Sequence, residues 1–162
     1  MARGLLTALL TFLFLILQVT VLPAFLREPF VPNLLLMQVV YIAVKEELGP
    51  AGALFAFFLG LLLDTFSGIY LGLSGFTFLA IYLVLRLLRD QLYTDSSTLL
   101  VVVAFLATIA HGLLSLLLLL LFSEADGIYS TLLAALIPQA LVSALVASLI
   151  TGITSIRRQE EP

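Results

Sequence analysis

Residues 60 to 75 read GLLLDTFSGIYLGLSG: an apolar run closes on a carboxylate, Asp64, then passes through Ser67, Gly68 and Gly72 into a second apolar run. A carboxylate at the centre of a bilayer costs roughly 2.5 to 3.5 kcal/mol on insertion scales, so its presence behind GLLL calls for a reason. Here the helix is ending. Asp64 falls near the outer end of its helix, where it can cap or brace the tight Ser67 to Gly72 connection, or face a partner or a ligand. The stretch reads as two membrane helices joined by a short glycine-rich turn.

The rest of the chain has the same character. Of its 162 residues 62% are hydrophobic and only 10% charged, with a mean hydropathy of +1.24, whereas soluble domains carry about a quarter charged residues. Apolar runs recur from Leu5 to Ile153, and the longest polar interval, Arg89 to Thr98, leaves no room for a water-soluble domain. The absence of cysteine removes disulfides, thiolate metal sites and cysteine nucleophiles. No basic run exists that could neutralise a nucleic-acid backbone, and the net charge is −3. The first apolar run is too long for a signal-peptide core and lacks an A-x-A-like site, so it reads as a retained helix.

A helix crossing a bilayer needs about 20 apolar residues. Six segments qualify as spans of a single all-α transmembrane domain covering 1–162: Leu5 to Leu26, Phe30 to Val44, Gly49 to Thr65, Leu71 to Leu88, Leu99 to Phe122 and Thr131 to Ile153. The second would rise only about 22 Å and needs local thinning or snorkelling by Lys45. Six crossings place Arg3, Lys45, Arg86, Arg89, Arg157 and Arg158 on one side and Arg27 alone on the other. That asymmetry predicts both termini in the cytoplasm. Pro32 and Pro50 suit the first turns of the second and third helices, and Pro138 should kink the sixth.

Small residues spaced by four, Gly52, Ala56 and Gly60 on the third helix and Ala140, Ala144, Ser148 and Gly152 on the sixth, are candidate docking faces. They suit packing within the bundle, and the second ladder also suits a helix from a partner protein. The leucine faces of Leu113 to Leu121 should meet lipid. Gln18, Asn33, Gln38, Tyr41, His111 and Gln139 are candidates for hydrogen bonds between helices or for the polar lining of a cavity.

Gly72-Leu73-Ser74-Gly75 with His111 on the next helix suggests a serine-histidine dyad of the rhomboid protease kind. Counted along their helices, however, the two residues differ in depth by about 12 Å, against the roughly 3 Å that a nucleophile and base require. His111 is better read as bonded between helices, to a serine or glutamine. No catalytic residue, metal site or cofactor is expected. A bundle with scattered amides can also serve as a small-molecule-binding transporter subunit, although no acidic or histidine relay and no pair of broken helices marks a midplane site.

With these residues in place, the chain resembles the rod shape-determining protein MreD family. The resemblance is strongest across VPNLLLMQVVYIAV and GLLLDTFSGIYLG, in Pro32, Asn33, Tyr41, Gly60, Asp64, Ser67, Gly68, Leu71 and Gly72, with Gln18 and Pro138 also familiar. It implies a non-enzymatic scaffold of the bacterial inner membrane that binds MreC, acts with RodA and a class B penicillin-binding protein in peptidoglycan synthesis, is coupled indirectly to MreB, and is compatible with a homodimer in a larger complex. It also implies a fold similar to the substrate-binding subunits of energy-coupling-factor transporters. The first helix lacks the A-x-x-x-A pattern that those subunits use to meet their coupling partner.

Overall fold

The computed structural model describes residues 2–27, 30–46, 48–67, 71–89, 97–122 and 128–159, and every regular element among them is helical. Six helices result. The first, α1, runs as Ala2–Ile16, a widened π-turn Leu17–Val21, and Leu22–Phe25. Proline causes such a detour, because its ring crowds the carbonyl four residues back and it has no N–H to offer. Just before Pro23, the Leu22 N–H reaches past the usual partner to the carbonyl of Leu17.

The remaining helices are α2 (Leu34–Lys45), α3 (Gly49–Ser67), α4 (Leu73–Leu88), α5 (Ser97–Phe122) and α6 (Ile128–Gln159). Two antiparallel pairs, α3 with α4 and α5 with α6, flank α2, which touches all five other helices. All but two of the twelve α2 residues are buried. The core sits along α2 and α4, where Leu35, Val44, Phe78 and Tyr82 are almost wholly enclosed.

Four helical stretches are long and apolar enough to cross a membrane: Thr7–Phe25, Gly49–Ser67, Thr98–Phe122 and Leu132–Ile150. Helices α2 and α4, the second and fourth of the six crossings expected from the sequence, are shorter apolar helices. At 1.5 Å per residue they rise about 18 and 24 Å, against a hydrocarbon core of about 30 Å. Helix α2 begins at Leu34, four residues later than expected, since Pro32 lies in a non-helical approach and Asn33 takes the N-cap position. Pro32 is therefore outside the first turn, while Pro50 does occupy the first turn of α3. Helix α6 runs through Pro138 without a break.

Large apolar side chains cover the outside: Leu9, Phe58, Leu106, Leu120, Leu145 and Leu149 are all more than half exposed. Lipid is the solvent that accommodates such a belt. On α5 the lipid-facing stripe is Leu113, Leu117, Leu120 and Leu121, whereas Leu116 and Leu119 turn inward.

Candidate functional site

A helix that starts inside a bundle brings orphan N–H groups with it, and in a membrane no water replaces the missing partners. Helix α4 starts this way. Its N-cap is Gly72 at φ +97, a left-handed conformation that glycine adopts without strain. Glycine has no side chain with which to cap. The cap comes from α3: the Asp64 carboxylate accepts hydrogen bonds from the N–H groups of Gly72 at 2.9 Å, Ser74 at 2.9 and 3.1 Å, and Gly75 at 3.4 Å. Only 3% of Asp64 is exposed, so its charge is compensated by backbone donors and the positive end of the α4 dipole rather than by headgroups or water.

The approach that allows this depends on Gly60. A side-chain carbon there would land on the Ser74 carbonyl and the Gly75 nitrogen. Gly52, Ala56, Gly60 and Asp64 are all buried, at steps of four, and form the face that α3 turns inward. At the far end of the pair, the Tyr82 ring occupies the space that a Gly52 side chain would take, and its hydroxyl donates to the Gly49 carbonyl at 3.1 Å. Arg86 donates to that hydroxyl at 3.3 Å, and Arg89 to the Glu46 carbonyl at 3.2 Å. Tyr82 thus ties α4 to the start of α3 with Arg86 behind its hydroxyl, while Arg89 ties the end of α4 to the residue that follows α2, beyond the topological signal the two arginines carry in sequence.

From the first turn of α4 a polar chain continues to α5. The Thr77 hydroxyl lies 3.1 Å from the Ser74 carbonyl and 2.9 Å from His111 Nδ1. The hydroxyl has one proton. If it donates to the Ser74 carbonyl, Nδ1 must carry the imidazole proton and donate to Thr77. The Phe78 ring packs on His111 at 5.3 Å. Threonine, rather than the expected serine or glutamine, is the partner of His111, and Ser74 joins the chain through its backbone.

Helix α2 begins in the same buried manner with different chemistry. Asn33 Oδ1 accepts from the Leu36 N–H at 3.0 Å, and Gln18 Oε1, from α1, accepts from the Leu35 N–H at 3.1 Å. Gln18 Nε2 in turn donates to Asn33 Oδ1 at 3.3 Å. One turn on, Gln38 Nε2 donates to Thr11 Oγ1 at 2.7 Å. The threonines Thr11 and Thr77 were missed in the sequence; a hydroxyl within an otherwise apolar helix, one face away from an amide or imidazole, was the available signal.

The other candidates are dispersed. The α6 face that enters the bundle is Ala140, Ser143 and Ala147, whereas Ala144 is half-buried and Ser148 exposed. Gln139 is half-buried on α6. Tyr41 is 52% exposed on the otherwise enclosed α2. Gly152 falls within α6, but its surroundings, like Gly68 altogether, lie outside the described residues. Among the described residues no three histidine or acidic side chains are grouped as a metal would require.

These features define a class: a helical membrane protein in which polar side chains staple one helix to the start of the next. A family model described as rod shape-determining protein MreD matches residues 2–153, and the chain belongs to that family. No curated protein and no solved structure matches it.

Proposed function

We propose that this chain is a non-enzymatic scaffold of the bacterial rod complex, a single transmembrane unit of the cytoplasmic membrane with both termini inside. It binds MreC and, with RodA and a class B penicillin-binding protein, helps direct peptidoglycan synthesis, with MreB coupled indirectly. The observation that carries this reading is the family match over residues 2–153. The structure adds support of a physical kind: Asp64, His111, Gln18 and Asn33, the polar groups from which chemistry would be built, are engaged in holding helices together. In this reading α2 and α4 complete six crossings, sheltered from lipid by their neighbours, and the bundle shares the architecture of energy-coupling-factor substrate-binding subunits.

Ala144 is half-buried and Ser148 exposed on α6, and this reading gives their small-residue flank to a partner helix. Replacing Ala144 or Ser148 with leucine should reduce co-purification of MreC severalfold while the chain stays in the membrane. Unchanged recovery of MreC from both variants removes this face from the interface. A small molecule retained through gentle purification, detected by native mass spectrometry, would favour a transporter subunit over the scaffold.

A further inference from the structure

We draw no further inference here: the strongest candidate, the flank of α6 that carries Gln139, half-buried within the apolar stretch Leu132–Ile150 and turned away from Ala144 and Ser148 on the helical projection, carries none because nothing in the structure shows what covers it.

Discussion

The starts of α2 and α4 solve one problem with different materials. Both helices are shorter than the hydrocarbon thickness of a membrane, and both have their second and third N–H groups bonded by side chains. At α2 the acceptors are neutral amides, one of them from the N-cap residue Asn33 itself. At α4 the acceptor is a carboxylate imported from α3, because the turn demands glycine at φ +97 and so removes the local cap. The conformational need of one residue has moved capping to a neighbouring helix. Hydrogen bonds to a charged group contribute about 1.5 to 3 kcal/mol, against about 0.5 to 1.5 for neutral pairs, so the α3–α4 hairpin has the stronger and less replaceable junction.

Breaking the stronger junction should have the largest effect. Asp64→Leu orphans the buried N–H groups of Ser74 and Gly75 and the part-buried one of Gly72 and is expected to destabilise the fold by about 3 kcal/mol or more, read as a lost or shifted unfolding transition in bicelles. Asp64→Asn keeps one acceptor oxygen and should cost roughly half as much. If the leucine variant unfolds like the parent, the carboxylate is not what holds the start of α4.

Much of this arrangement could be read from the chain because hydropathy and turn chemistry act locally. Asp64 could be placed near a helix end, and Gly52, Ala56 and Gly60 on one face, from spacing alone. Depth could not be read in the same way. The late start of α2 depends on Gln18 reaching its N-terminus from α1 across a π-turn, a contact between residues 17 positions apart that no local periodicity encodes. On α6 the buried face is Ala140, Ser143 and Ala147, so after Ala140 it departs by one residue, about 100° of rotation, from the Ala144 and Ser148 steps of the small-residue spacing. Tyr41 stands in a motif most of whose residues are enclosed yet is 52% exposed, a matter of packing that the sequence pattern does not mark.

The neutral junction provides the intermediate case. Gln18→Leu removes the acceptor for the Leu35 N–H and the donor to Asn33 while leaving the Asn33 cap on Leu36 in place. The expected loss is about 1 kcal/mol, and it should fall on the attachment of α1, which packs chiefly on α2. Hydrogen exchange at Leu35 should accelerate while exchange in α5 and α6 is unchanged. Equal acceleration throughout would mean that α1 is held by something other than this amide.

The smallest effect is expected where the charged junction fades into a neutral chain. Thr77→Val removes the hydroxyl between the Ser74 carbonyl and His111 but leaves the Asp64 cap intact, so the loss should be about 0.5 to 1 kcal/mol. The informative readout is the imidazole. With Thr77 donating to Ser74, Nδ1 carries the proton in the parent, and ¹⁵N shifts of His111 should report that tautomer. Valine has no acceptor to hold it, so the signal should move toward the Nε2–H form. A parent already in the Nε2–H form would show that Thr77 gives its proton to His111 instead, and would end the polar chain from α3 at the Ser74 carbonyl rather than carrying it across to α5.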